Sequence, residues 1–490
     1  MRLLSSSIKA LLVNFRDAFG EPSFKNFSSL VEGWIVCMGR HSISRVIQFI
    51  PGGWGANHSR YYNFFCRANW DPDNLSKQLV AMVSDRIPPE MTVLATVDDT
   101  LAYRSGAHLW GAGMHYDALR SNYGRGVKRV VSLAFGHSWV IVSLLVPVPW
   151  SHYRLLAVPV LFRLYRSKKT CAAEQYRKRS ELAAELVEML CRWLPSWRRL
   201  RFLGDEEYAT KIVATRLVKL ARRAEADRRA RRRTSLPEKI ELCGPMDINA
   251  AFYSPPPPYH GRGRPRSKGC RLPSPRQLAA DDSAPWLAEV VRIYDHEVRL
   301  LTKTQIGLWY TVTGTCLVRM VVTRDPKGRI EDRAYFITEA TVTVEQVIVS
   351  YSHRRSQEVL HRNLKQYLGL DDPQNGWWRH PAKQRRDDRR PGPAAHPTRG
   401  AKAATRTVPF ILVVYAIVEI WYLSHGHPAD DVARARRRGP WNVKKHEPSF
   451  ADMLAAARRE ILLPGLFRGT VPTGGSVKTD LGLVELLLAA

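Results

Sequence analysis

Four carboxylates stand where the chain could do metal chemistry. Asp98 and Asp99 follow the apolar run MTVLATV (91–97), Asp205 follows RLRFLG (199–204), and Glu358 is the one acid in YSHRRSQEVLHRNLKQYLG (351–369). The first run is β-branched and reads as a buried strand that delivers Asp98 and Asp99 at its end. The second reads as a short strand that delivers Asp205. Ligand chemistry in α/β sheets gathers at such strand ends. Carboxylates from separate elements suit a hard divalent cation, which takes oxygen ligands. Two such ions can clamp the attacking and leaving oxygens of an in-line displacement at phosphorus.

Glu358 needs a helix to bring it there. TVEQ (343–346) has the form of a capping box, and Gly369 followed by Pro373 is a stop, so one helix is expected between them. Within it Tyr351, Arg354, Glu358 and Lys365 fall at offsets that place them on one narrow stripe. Spacing alone leaves two readings. Arg354 and Glu358 could be a surface ion pair worth a few tenths of a kcal/mol. Alternatively, the acid completes a metal site beside a polyanion.

Composition bears on the choice. The 490 residues carry a net charge of +30 and a pI of about 10.2, an electrostatic footprint for nucleic acid or an anionic membrane surface. Two apolar segments, 137–150 and 408–423, are shorter than the roughly 20 residues a spanning helix needs. They read as a buried strand and a buried core helix, which leaves nucleic acid as the partner and no membrane. Seven dispersed cysteines without a CxxC pair fit free thiols in a reducing compartment rather than a disulfide framework or zinc finger. The N-terminal apolar stretch lacks the h-region and cleavage site of a signal peptide.

The chain is long enough for several domains. Residues 1–88 show helical periodicity broken by PGGWG (51–55) and suit an N-terminal helical DNA-binding domain, or equally a plain helical bundle. Residues 89–215 run strand, two strands separated at Gly136, a helix over 171–194 striped by Leu182, Leu186, Val187, Leu190 and Leu194, then a strand. A basic helix-like run (216–239), a Pro/Gly/Arg-rich loop (253–276) and strand-like runs (285–342) form a largely β insertion over 216–342. The helix of Glu358 (343–378), a basic Pro-rich linker (379–406), C-terminal helices (407–466) and a tail (467–490) complete the order.

The Y-(2)-R-(3)-E-(6)-K spacing of Tyr351, Arg354, Glu358 and Lys365 resembles the Y-R-E-K signature of bacterial insertion-sequence transposases. The group is the insertion sequence 4 superfamily, and the likeness is to its insertion sequence 701-like members. TVDDTLAYRSG (96–106) is similar to the first-aspartate motif of that group and FLGDEEYA (202–209) to the second. GAGMHYDALRSNYGRG, FGHSWV, KQYLGLDDPQNGWW and PSFADMLAAARREI also look like segments of it, so the resemblance spans roughly 20–465. It implies an α/β fold: a ribonuclease H-like mixed sheet flanked by helices, interrupted by the β insertion and preceded by the helical domain. It also implies a DDE catalytic triad of Asp98 (Asp99 the close alternative), Asp205 and Glu358 holding two Mg²⁺ ions, with Mn²⁺ as a substitute.

By the same resemblance Tyr351, Arg354 and Lys365 contact phosphates, against a packing or ion-pair role. Trp309, or Trp286, could stack on a flipped base, against the commoner core role for a Trp on a β-face. The activity implied is cut-and-paste transposition: cleavage at inverted-repeat ends and strand transfer. Partners are double-stranded DNA, as transposon ends and target, and a second copy of the chain as a DNA-bound homodimer. The location implied is bacterial cytoplasm, at the nucleoid. Three positions depart from the pattern: Arg355 where Trp is usual, Gln357 where an apolar residue is usual, and Asn249 where an aspartate is common. They keep open a catalytically impaired DNA-binding descendant; a two-metal nuclease without strand transfer is the other rival.

Overall fold

The computed structural model describes residues 6–469 apart from 56, 106–108, 122–129, 260–262, 295, 375–396 and 440. Five helices lead the chain: α1 (Ser6–Val13), α2 (Glu21–Val36), α3 (Ile43–Gln48), α4 (Ser59–Cys66) and α5 (Pro72–Ser84). Asp71 caps α5 by accepting from the amide of Asp73, with Pro72 in the first turn. These helices do not form a core of their own. They pack on α12 (Pro397–His425), whose Phe410 ring stands edge-on to Phe27, Trp34, Phe64 and Phe65 at 5.4–6.0 Å.

Helix α12 is the core helix expected at 408–423, begun eleven residues earlier than the sequence pattern suggests. By length and composition it could cross a membrane, yet 89% of its most apolar window is buried inside the protein. Its first turns take residues 397–406 out of the expected linker; residues 379–396 of that linker lie outside the described ones, as does the tail from 470. Two helices follow, α13 (Pro428–Arg438) and α14 (Phe450–Gly469).

Between these helical parts runs one mixed sheet. Its strands are β1 (Val93–Tyr103), β2 (Gly113–Tyr116), β3 (Leu133–Val148), β4 (Ser151–Tyr165), β5 (Arg199–Leu203), β6 (Lys239–Met246), β7 (Phe252–Tyr253) and β8 (Arg271–Leu272). β9 (Leu287–Ile293), β10 (His296–Leu308), β11 (Leu317–Arg324) and β12 (Arg333–Ile337) complete it. The order is β2-β3-β1-β5-β6-β12-β11-β10-β7-β8, with β4 beside β3 and β9 beside β10. β1, β5 and β6 are mutually parallel and β3 is antiparallel to both β1 and β4. Five neighbours, β4-β3-β1-β5-β6, therefore contain one reversed strand, β3.

Helices α6 (Arg179–Trp193) and α7 (Lys211–Arg229) pack on each other beside β5 and β6. The apolar stripe read for α6 is buried as expected; the helix starts at Arg179, after a short 3-10 turn, rather than at 171. Short helices α8 (Pro275–Ala280) and α9 (Tyr310–Thr313) punctuate the later strands, and α10 (Val344–Ser352) and α11 (Arg355–Tyr367) come after them.

Two strand expectations are corrected. Gly136 is no turn: it lies inside the single long strand β3, where a Cβ would stand 2.3 Å from the Ala102 carbonyl oxygen of β1. The glycine permits close approach of two strands, which a sequence read for turns mistakes for a break. The hairpin partner of β3 is instead β4, whose Arg and Pro residues obscure its pattern. Strand β1 also passes beyond Asp98 to Tyr103, because β3 pairs with it throughout that length. Beyond β6, strands β9–β12 continue the same sheet.

The buried Glu419 of α12 supplies a test of this core. It is 2% exposed, and one carboxyl oxygen has no hydrogen-bond partner. Burial pushes its pKa up to about 8, against the pull of the Tyr415 hydroxyl and Arg154. A folded pKa above the unfolded one means stability that is full below about pH 4.5 and lost as pH rises through about 8. Glu419→Gln should lack this decline. Denaturant titrations from acid to pH 9 should show the variant gaining on the parent by on the order of a few kcal/mol; parallel curves would contradict the assignment.

Candidate active site

Strand register brings the first two acids level. β1 and β5 pair in parallel from Val93↔Leu200 to Thr96↔Leu203; two residues further along each strand lie Asp98 and Asp205. The register therefore sets Asp98, within β1, level with Asp205, just past the end of β5. Asp205 opens a tight turn. Its carboxylate accepts from the amides of Glu207 (2.9 Å) and Tyr208 (3.2 Å), and its carbonyl from Ala209.

Glu358 arrives from α11, which lies against β1 and β4. Ser356 Oγ donates to the Leu155 carbonyl (2.9 Å) and Gln357 Nε2 to the Ile141 carbonyl (3.4 Å), fixing the helix across β3 and β4. Gln357 is fully buried and also meets His361, which explains a polar residue at this position, although its Oε1 has no partner. The expected capping box is present: Thr343 accepts from Gln346 N and Gln346 reaches back to Thr343 N.

The single helix expected from Thr343 to Gly369 is a helix pair. α10 ends at Ser352 and α11 begins at Arg355, with tightened bonds from Arg354 N to Tyr351 O (3.1 Å) and from Ser356 N to His353 O (3.0 Å). The tip of the β9–β10 hairpin meets this break: Tyr294 Oη donates to the Ser352 carbonyl (3.0 Å), and its ring stands edge-on to His353. The four-residue stripe is therefore split. Tyr351 stays with α10 and packs on Tyr335 at 5.0 Å. Lys365 turns its ammonium over the Tyr103 ring at 4.5 Å.

Arg354, at the break, is where the acids meet. Its Nη1 lies 3.3 Å from Asp98 Oδ2 and 3.8 Å from Asp205 Oδ2, while Nη2 lies 2.9 Å from Glu358 Oε1. The guanidinium is 18% exposed and Glu358 53%, so the site opens on the Glu358 side. Burial pushes Asp98 up to about 7; Arg354 pulls it down, and Asp205 and Asp99 add to the rise. Asp205 moves up for the same leading reason. Burial alone would lower Arg354, but Asp98, Tyr351, Asp205 and Glu358 together hold it above its ordinary range.

Asp99 points elsewhere, which separates the two candidates at the end of the apolar run. It accepts from Tyr208 Oη (3.1 Å) and Ser138 Oγ (3.2 Å), and Arg179 Nε stands 3.2 Å away. Tyr208 follows Asp205 in the same turn, so Asp99 anchors the turn that presents Asp205. Arg179, Ser138 and Tyr208 were not singled out from sequence; Tyr208, inside FLGDEEYA, and Ser138, inside FGHSWV, lay in segments that carried a cue, and Arg179 did not. Trp309 is 8% exposed and edge-on to Phe336, a core position with no ring face for a base. Trp286 is covered by Lys303 and Arg324 at 4.7 and 4.2 Å.

Among the described residues, no three His, Cys, Asp or Glu side chains are gathered closely enough to hold a metal ion. The acids nevertheless fit a hard cation in kind. They are three carboxylates from three elements, sharing one positive group, with Asp98 short of counter-charge.

Asp98 within β1, Asp205 just after the neighbouring parallel strand β5 and Glu358 from α11 thus form one acidic centre around Arg354. The family comparison agrees: residues 14–305 match the DDE superfamily endonuclease family, and the chain belongs to it. Asp98 and Asp205 lie inside the matched span and Glu358 beyond it. No curated protein matches the chain. Among solved structures, it is similar to the cryo-EM structure of the piggyBac transposase synaptic complex with hairpin DNA. That likeness is 10% identical and covers 99% of this chain and 82% of that one, with a TM-score of 0.35.

The anchoring role of Asp99 can be read without any reaction. Tyr208→Phe removes one hydrogen bond to a charged acceptor, a loss of about 1.5–3 kcal/mol. Amide exchange at Tyr208 and Ala209 should then quicken by roughly 10-fold or more. Asp98→Asn should leave those amides unchanged; equal quickening in both variants would contradict separate roles.

Proposed function

We propose that the chain is a DNA transposase that cleaves at inverted-repeat ends and transfers the freed strand to target DNA. The observation that carries this reading is the convergence of Asp98, Asp205 and Glu358 on Arg354 in a member of the DDE superfamily endonuclease family. The strand order β4-β3-β1-β5-β6, with β3 alone reversed, supports a ribonuclease H-like core. The Tyr351, Arg354, Glu358 and Lys365 spacing supports an insertion sequence 4 superfamily, insertion sequence 701-like member. On this reading residues 89–215 and 343–378 are catalytic, joined by strand β6 from within 216–342, the rest of 216–342 is the insertion, and 1–88 contacts DNA. The setting is the bacterial nucleoid, and the working form is a homodimer that holds two ends.

Asp98, Asp205 and Glu358 would hold two Mg²⁺ ions, or Mn²⁺ in their place. The ions would supply an activated nucleophile and charge stabilisation at phosphorus. The chain's own groups do the rest. Arg354 keeps three mutually repelling acids together until an anionic phosphodiester competes for its guanidinium, which suits a fork of donors. Asp99, Tyr208 and Arg179 keep the Asp205 turn in place. Lys365, seated on Tyr103, places a cation one side of the acids. One observation favours the rival of a DNA-binding descendant without cleavage: Arg354 already pairs with all three acids and so stands where a metal ion would have to bind.

Labelled duplex bearing the flanking inverted repeats, incubated with full-length protein and Mg²⁺, separates the readings. Cleavage at the repeat ends is expected, with Glu358→Gln and Asp205→Asn each slower by roughly 10²-fold or more. Binding without cleavage in either metal supports the descendant. Equal cleavage of scrambled duplex supports a general nuclease, and full activity in Glu358→Gln would overturn the assignment of that acid.

A further inference from the structure

Helix α7 sorts its cations in a way that a solvated basic helix has no reason to do. Arg216 is paired with Glu188, Arg223 with Asp227 and Arg229 with Glu225. Arg228 donates to the carbonyls of Leu236, Pro237 and Glu238. The remaining three, Lys211, Lys219 and Arg222, have no acidic partner within ion-pair distance among the described residues. All three line one groove of about 370 Å³, between α7 and the turn after α9.

The other polar side chains of the lining are hydroxyls, with Val218 and Val312 as its apolar members. Thr215 lies on the same helix stripe, and Tyr310 and Thr315 face it from the other wall. Gly314, at φ 62°, turns the chain after α9, and Thr315 Oγ1 accepts from Arg222 Nη2 at 2.7 Å. No carboxylate lines the groove. At 1.5 Å per residue, Lys211 and Arg222 are about 16 Å apart along the helix, so the cations form a line rather than a cup. A line of unpaired cations and hydroxyls matches successive phosphates of a strand better than a single small anion. The line starts at Lys211, six residues after Asp205, at the sheet end that carries the acids.

We propose that this groove seats the phosphodiester backbone of duplex DNA away from the scissile position, as a second contact surface outside the acidic centre. The assignment rests on the DNA reading above. The contacts position the duplex without reading its sequence, because they are made to phosphate and not to base edges.

Fluorescence anisotropy of full-length protein with labelled duplex, over a series of salt concentrations, tests it. The variants are Lys211→Gln with Lys219→Gln, which leaves the Arg222–Thr315 bond intact, and the triple that adds Arg222→Gln. A control of equal charge change carries Arg434→Gln, Arg437→Gln and Arg438→Gln, three exposed positions on α13. The slope of log affinity against log salt should shrink by about one per groove cation removed, so about two and three. Binding should weaken alike for repeat and scrambled duplex, with circular dichroism unchanged and the control retaining the parental slope. A parental slope in the groove variants, or the same loss in the control, overturns the groove while leaving the DNA reading intact. Parent protein that binds no DNA overturns both.

Discussion

Three carboxylates around one guanidinium is the constraint from which the rest follows. Asp98, Asp205 and Glu358 repel one another, and the partly buried setting of the two aspartates weakens the screening that water would give. Arg354 makes the arrangement tolerable by facing all three at once. A lysine could offset the same charge but not present two separate nitrogens to acids from different elements. Burial first, then Asp205 and Asp99, raise Asp98 to about 7 even with that cation beside it. Such a centre is poised for more positive charge, or for an anion that draws the guanidinium away.

Keeping acids in this relation falls to backbone register more than to side-chain packing. The β1–β5 pairing sets Asp98 level with Asp205, and a slip of one residue would turn one of them to the opposite face. Asp99 is what such a slip would present, and it is already committed to Tyr208, Ser138 and Arg179. Those bonds discourage the slip while tying down the Asp205 turn. On the other side, Ser356 and Gln357 fasten α11 to carbonyls of β4 and β3. Each acid is thus held by neighbours that do not themselves face the guanidinium.

Sequence displayed the acids more clearly than the scaffold. An apolar β-branched run leading to Asp-Asp, a short strand leading to Asp and a capping box before Glu358 are local signals; the strands and the cap are present, although β1 runs on past Asp99 to Tyr103. Whether Asp98 or Asp99 faced the site was not local: it depends on which side of β1 receives α11. The helix break at His353 was equally hidden, because no proline or glycine marks it. It reflects contact with Tyr294 of a hairpin 58 residues earlier in the chain. Gly136 misled by composition, since a glycine admitting a neighbouring strand looks like one admitting a turn. Strand β4 escaped notice for the opposite reason, its polar edges masking a buried centre from Leu155 to Phe162.

The long passage between Asp205 and Glu358 gains a physical sense from this. The strands after β6 widen the same sheet outward through β12, β11 and β10, and are joined to β5 and β1 through β6. The β9–β10 hairpin then returns to touch the carbonyl of Ser352, two residues before Arg354. Two routes therefore lead from the insertion to the acidic centre, one through the sheet to β5 and one through the hairpin tip to the helix break. The first is a ladder of backbone bonds and resists displacement. The second ends on a residue, Tyr294, held at φ 55°, a conformation uncommon for a side chain of that size. The hairpin tip thus meets the chain two residues before the one cation that the three acids share, whereas the β1–β5 register is set without it.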